Sequence, residues 1–148
     1  EIDEPDSNTL KGMRFLCAED NELNAEILME LLKIEGAECI ICENGERVLE
    51  AFEQSAPGYY DMILMDVQMP VMNGYDAPRA IRRSTHELAK TIPIIAMTAN
   101  AFSEDIQYSL AAGMNAHISK PVDMKTLEKT IRRIKIGGRG TETQAIEQ

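Results

Sequence analysis

Met62-Ile63-Leu64-Met65-Asp66-Val67-Gln68-Met69-Pro70-Val71-Met72-Asn73-Gly74 is the stretch that decides the fold. Four apolar residues run without a break into one aspartate, and a proline and then a glycine follow at four-residue intervals. A short apolar run of this kind reads as a buried strand, and the Pro and Gly mark the loop after it. In open α/β sheets, ligands are held beyond the carboxyl ends of the strands. Asp66 therefore falls where such a sheet does its chemistry.

Working outward, the same pattern repeats. Residues 13–18 form a candidate strand that ends on Glu19-Asp20-Asn21, and 37–42, 92–98 and 116–119 are three more, the last followed by Lys120-Pro121. Helical segments lie between them. The first carries Leu23, Ile27, Leu28, Leu31 and Ile34 at helical spacing, an expected inward stripe, and Gly36 stops it. The second, opened by Asn44-Gly45, carries Val48, Ala51 and Phe52, and the third, over about 75–84, has Ala80 and Ile81 inward with Pro78 near its start. Ser103 is a candidate cap for a fourth bearing Ile106 and Leu110 and ending near Gly113, and Asp123 for a last one with Leu127, Ile131 and Ile134 inward. Strand and helix alternate five times, and near-continuous apolar strands belong in a parallel sheet covered on both faces. The class is a doubly wound α/β sandwich; strand order does not follow from these patterns.

At 148 residues the chain suits one domain, with 44% apolar and 27% charged residues. We expect a polar linker over 1–12, the folded domain over 13–135 and a disordered or vector-derived tail over 136–148. The first residue is Glu, as in a piece cut from a longer protein. A net charge of −10 argues against a nucleic-acid surface, which needs clustered Lys and Arg. No apolar run is long enough for a membrane span, and no signal-peptide pattern is present. Cys39 and Cys42 form a C-x-x-C by spacing, but positions three apart on a strand face opposite sides. With Cys17 they read as buried structural thiols in a reducing compartment.

The strand ends bring five side chains to one rim: Glu19 and Asp20, Asp66, Thr98 and Lys120. Three close carboxylates repel, so they need a cation or must hold protons. Oxygen ligands without His or Cys favour a hard divalent ion, and Mg²⁺ is content with two carboxylates plus waters. Lys120 and Thr98 then remain to hold an anion, and a phosphoryl group suits that set. One carboxylate could itself be the nucleophile.

Glu19-Asp20-Asn21, the Met65–Gly74 stretch, Met97-Thr98-Ala99 and Ser119-Lys120-Pro121, in this order, resemble the CheY-like receiver domain of two-component response regulators. The variant is most similar to receivers of hybrid sensor histidine kinases. The resemblance implies a flavodoxin-like five-stranded sheet of order 2-1-3-4-5 and a phosphorelay role, with Asp66 taking a phosphoryl group from a phosphohistidine. It implies Mg²⁺ held by Asp20, Asp66 and the Gln68 backbone carbonyl, with Glu19 acting through water. Lys120 would contact the phosphoryl group, Thr98 would swing toward it past the small Ala99, and the Lys120–Pro121 bond would be cis. The aromatic switch of the fifth strand is replaced by His117, either a half-exposed imidazole or a residue that moves with Thr98. The implied partners are the phosphohistidine domain of a kinase and a histidine phosphotransfer protein. The implied location is cytoplasmic, whether or not the parent chain is membrane-anchored. Such a domain assists its own phosphorylation without a separate substrate; the parent would be the histidine kinase.

Three rivals are weaker on the residues. A haloacid-dehalogenase-type hydrolase needs a second Asp two positions after its nucleophile, and Gln68 stands there. A nucleotide or flavin module needs a Gly-rich loop after the first strand, where Glu19-Asp20 would repel phosphate. A receiver kept only for docking has no need of all five rim residues. A stand-alone single-domain regulator remains the alternative to a hybrid-kinase origin.

Overall fold

The computed structural model describes residues 9–67, 76–98 and 110–134. Five strands, β1 (Arg14–Ala18), β2 (Glu38–Cys42), β3 (Met62–Asp66), β4 (Ile94–Thr98) and β5 (Ala116–Ser119), pair in parallel in the order β2-β1-β3-β4-β5. The helices described are α1 (Glu22–Ile34), α2 (Gly45–Gln54), α3 (Asp76–Arg83) and α4 (124–134). This is the flavodoxin-like doubly wound sandwich, and β3, which carries Asp66, is its central strand.

The period-2 alternation of the strands sorts the core into two layers. Leu16, Ala18, Ile63, Met65, Ile94 and Ala96 face α2 and α3, where Val48, Phe52, Ala77 and Ile81 meet them. Phe15, Cys17, Met62, Leu64, Ile95 and Met97 face the other way, toward Leu28 and Leu32 of α1 and Leu127 and Ile131 of α4. All five residues of β3 and of β4 are buried, as central parallel strands require.

Local chemistry sets the helix ends. The Asn21, Asn44 and Asp123 side chains accept from the backbone N–H groups of Asn24, Arg47 and Thr126 at 2.8, 2.9 and 3.0 Å, satisfying donors that a helix start leaves free. Gly36 leaves α1 at φ +84°, where a side chain is strained. Pro78 is the third residue of α3, within the turn that tolerates a missing N–H.

Several expectations need correction. α1 buries Leu28 and Leu32, whereas Leu23, Ile27 and Ile34 are 64%, 48% and 75% exposed. Its apolar residues form an arc wider than the sheet covers, so spacing alone selected the wrong edge. In α3 Ala77 and Pro78 are buried with Ile81 while Ala80 is half-buried. The expected linker stops short of Gly12: Leu10 is fully buried against the α1 and α4 layer, and Gly12 N–H donates to Gly36 O at 2.9 Å. Of the three thiols only Cys17 is buried; Cys39 and Cys42 are half-buried because β2 is an edge strand. They do lie on opposite faces, against opposite core layers.

Two side chains without an assigned role tie loops together. The Arg82 guanidinium donates to Gly113 O, Ala89 O and Asn115 Oδ1 at 3.0, 3.0 and 2.9 Å, and burial lowers its pKa from the usual value. His86 packs on Phe52 with ring centroids 4.1 Å apart and accepts at Nδ1 from Leu88 N–H, leaving Nε2 to donate to Ser55 O at 2.9 Å.

Candidate functional site

Parallel pairing places the ends of β1, β3, β4 and β5 on one edge, and the rim residues meet there. Glu19 follows β1, and its backbone N–H donates to Cys42 O at 3.0 Å, fixing the turn as the chain leaves the sheet. Asp66 is the last residue of β3 and Thr98 the last of β4, each 2% exposed. Lys120 follows β5, with its N–H bonded to Thr98 O at 2.8 Å. The Lys120–Pro121 peptide is cis, as the resemblance implied.

Carboxylate oxygens of Glu19, Asp20 and Asp66 all lie within 4.8 Å of one another, two of the residues buried and Asp20 exposed. The Lys120 ammonium sits 2.9 Å from Asp66 Oδ2 and 3.4 Å from Glu19 Oε1. Glu19 is held on its other oxygen by Asn21 N–H at 3.2 Å. Burial pushes the Glu19 carboxyl above its usual value, and nearby Asp66 adds to this, against the opposing pull of Asn21 N–H and Lys120. At Lys120 burial acts to lower the pKa, but the bond to Asp66 and the field of Asp66 and Glu19 outweigh it and the pKa is raised. The anionic cluster thus shares the Lys120 ammonium, with an exposed side at Asp20.

This donor set suits a hard divalent cation: oxygen ligands only, two of them buried, with repulsion that one ammonium offsets incompletely. A phosphoryl group brought to Asp66 would meet Lys120 on one side and the Thr98 end of β4 on another. His117 is half-buried and pairs with Ala96, so alternation puts it on the same sheet face as Thr98. Gln68, Ala99, the 69–74 loop, Ser103 and Ile106 lie outside the described residues.

Sequence reasoning missed two parts of the site. One is Asn21, which caps α1 and orients Glu19 at once; its place directly after the acidic pair was the available signal. The other is a groove of about 290 Å³ beside Glu19 and Lys120, whose apolar lining includes Ile27, Leu28, Leu31, Met97, Pro121 and Val122. No spacing rule brings α1 and the turn after β5 together.

Comparison with known proteins identifies the family. Residues 15–132 match the response regulator receiver domain model. Over 124 residues, 82% of this chain, it is 40% identical to hybrid signal transduction histidine kinase G of Dictyostelium discoideum, covering 4% of that protein. The chain spans 4 to 13% of the length of the curated relatives it matches. The receiver domain of sensor histidine kinase PA1611 from Pseudomonas aeruginosa PAO1, solved with a magnesium ion in its active site cleft, superposes with a TM-score of 0.73 at 35% identity, covering 84% of this chain and 98% of that one. A chain from the co-crystal of the Saccharomyces cerevisiae histidine phosphotransfer signaling protein Ypd1 and the Ssk1 receiver domain superposes with a TM-score of 0.72 at 26% identity, covering 85% of this chain and 90% of that one. In sequence and in strand order, the chain belongs to the response regulator receiver family.

Proposed function

We propose that Asp66 is the phosphoacceptor of this receiver domain and that Glu19, Asp20 and the Gln68 backbone carbonyl complete a Mg²⁺ site with it. The observation that carries the reading is the buried Asp66 carboxylate at the end of the central strand, 2.9 Å from Lys120 and clustered with Glu19 and Asp20. When bound, the cation supplies positive charge against which an anionic phosphoryl group can approach an anionic nucleophile.

The chain's own residues do the rest. An Asp66 oxygen attacks phosphorus as the phosphorus–nitrogen bond of a donor phosphohistidine breaks, and the imidazole leaves with the electron pair. Lys120, already on Oδ2 of Asp66, exchanges that contact for a phosphoryl oxygen. Thr98 gives the hydroxyl that holds another, and His117 on the same sheet face responds as Thr98 moves. New contacts present only in the phosphorylated state shift the population of the β4–β5 surface.

The phosphodonor or recipient is a histidine-bearing helical domain, docked on α1. Leu23, Ile27 and Ile34 form an exposed apolar stripe on that helix, and Ile27 and Leu31 line the groove that runs to Lys120. A stripe of this kind beside a reactive centre marks a protein contact, and the related Ssk1 receiver was crystallised with a histidine phosphotransfer protein. We take the folded unit as about 13–135 with Leu10 packed beneath it, its parent as a hybrid sensor histidine kinase and its setting as cytoplasmic. No helix among the described residues is long and apolar enough to cross a membrane.

The test is transfer from a labelled phosphohistidine donor. Wild-type chain takes label only with Mg²⁺ present, and Asp66→Asn takes none. Label on Asp66→Asn at the wild-type level would refute the assignment.

A further inference from the structure

Cys17 and Cys39 are 22 residues apart in sequence, yet their Sγ atoms are 2.9 Å apart. The register explains the approach. Phe15 pairs with Cys39 across the parallel β1–β2 ladder, and Cys17 is two residues further along β1, on the same sheet face. The two sulfurs are therefore diagonal neighbours over one core layer, and closing from 2.9 Å to the disulfide bond length of about 2.05 Å draws the edge strand along β1 as well as turning the side chains. Cys42 is turned to the opposite face and packs in the other layer. The pair is asymmetric: Cys17 is fully buried, while Cys39, on an edge strand, is half-buried.

We propose that Cys17 and Cys39 are a peroxide-responsive thiol pair that closes to a disulfide between β1 and the edge strand β2. The Cys39 thiolate attacks one peroxide oxygen; the S–O bond forms, the O–O bond breaks, and the departing hydroxide takes a proton to become water, leaving a sulfenic acid. Cys17 sulfur then displaces that hydroxyl, which leaves as a second water with the Cys17 proton. Two thiols and one hydrogen peroxide thus give one disulfide and two waters, each sulfur losing one electron. Cys17 is the resolving thiol because its sulfur is already beside Cys39 and shielded from further oxidant. The crosslink ties the edge strand to the strand that leads into Glu19, whose N–H is bonded to the Cys42 carbonyl at the end of β2.

The experiment is mild treatment of the 148-residue chain with hydrogen peroxide, followed by thiol counting, intact mass and peptide mapping under non-reducing conditions. The expected result is a fall from three free thiols to one, loss of the mass of two hydrogens, a single Cys17–Cys39 crosslinked peptide, reversal by dithiothreitol, and a raised unfolding midpoint. Cys42→Ser keeps the crosslink and its reversal, its two thiols falling to none. Cys39→Ser leaves Cys17 unoxidised and retains Mg²⁺-dependent phosphorylation, so the loss is not one of folding. Three remaining thiols in folded protein, a Cys39–Cys42 link, or only disulfides between chains would each overturn the proposal.

Discussion

Lys120→Met removes the ammonium bonded to Asp66 and Glu19 and keeps the length of the side chain. At an effective dielectric of about 20, the contacts at 2.9 Å to Asp66 and 3.4 Å to Glu19 are attractions of about 6 and about 5 kcal/mol. Dehydrating the ammonium offsets much of this, since the Lys120 side chain is only 24% exposed. The loss also has a ceiling, because a carboxylate left with its like-charged neighbours can take a proton instead. From the ordinary glutamate value of 4.5, holding one proton at pH 7 costs about 3.4 kcal/mol. The variant should therefore be about 2–3 kcal/mol less stable than wild type in urea unfolding at pH 7 with chelator. At pH 5.5 the ceiling falls to about 1.4 kcal/mol: the folded variant's raised carboxyl pKa makes it bind more protons than the unfolded chain, so lower pH stabilises it relatively. Saturating Mg²⁺ should restore stability to within about 1 kcal/mol of wild type, because the dication binds only the folded cluster. A deficit that is the same at both pH values, and the same with and without Mg²⁺, would refute the electrostatic account and leave only lost packing.

The other predictions concern the surface and the scaffold. Ile27→Asp alters a half-exposed side chain, so stability should change by no more than about 0.5 kcal/mol. The rate of phosphoryl exchange with a histidine phosphotransfer protein should fall at least about tenfold as a buried contact is lost, while labelling by acetyl phosphate stays at wild type; equal loss with both donors would remove the docking role. Arg82→Met leaves the Gly113 and Ala89 carbonyls without this donor and should cost about 2–3 kcal/mol in denaturant unfolding. Lysine at that position should recover less than half, since one ammonium cannot span a fork of three acceptors.

The layers of this fold were legible because β3 and β4 are apolar on both faces and polar capping residues, Asn21, Asn44 and Asp123, follow β1, β2 and β5. Strand order came from the family resemblance, and the ladder shows it. Asp66, Thr98, Lys120 and Glu19 were legible for a geometric reason: a residue that ends a parallel strand has nowhere else to go than the shared rim. What spacing could not show is which edge of a wide apolar helix meets the sheet. In α1 the stripes Leu23–Ile27–Leu31 and Leu28–Leu32 both fit the helical period, and only the position of the neighbouring strands selects the second for burial. The diagonal approach of Cys17 and Cys39 was hidden similarly, because it depends on the β1–β2 register rather than on either strand alone.

The central claim is that one side chain, Asp66, carries the phosphoryl group. An acyl phosphate is reduced by borohydride to the alcohol, which converts an aspartyl phosphate to homoserine in place. Chain phosphorylated with Mg²⁺ and a phosphohistidine donor, trapped with borohydride and mapped by peptide mass spectrometry, should show homoserine at position 66 and at no other aspartate. Homoserine at position 20, or a trapped chain with Asp66 unchanged, would contradict the account.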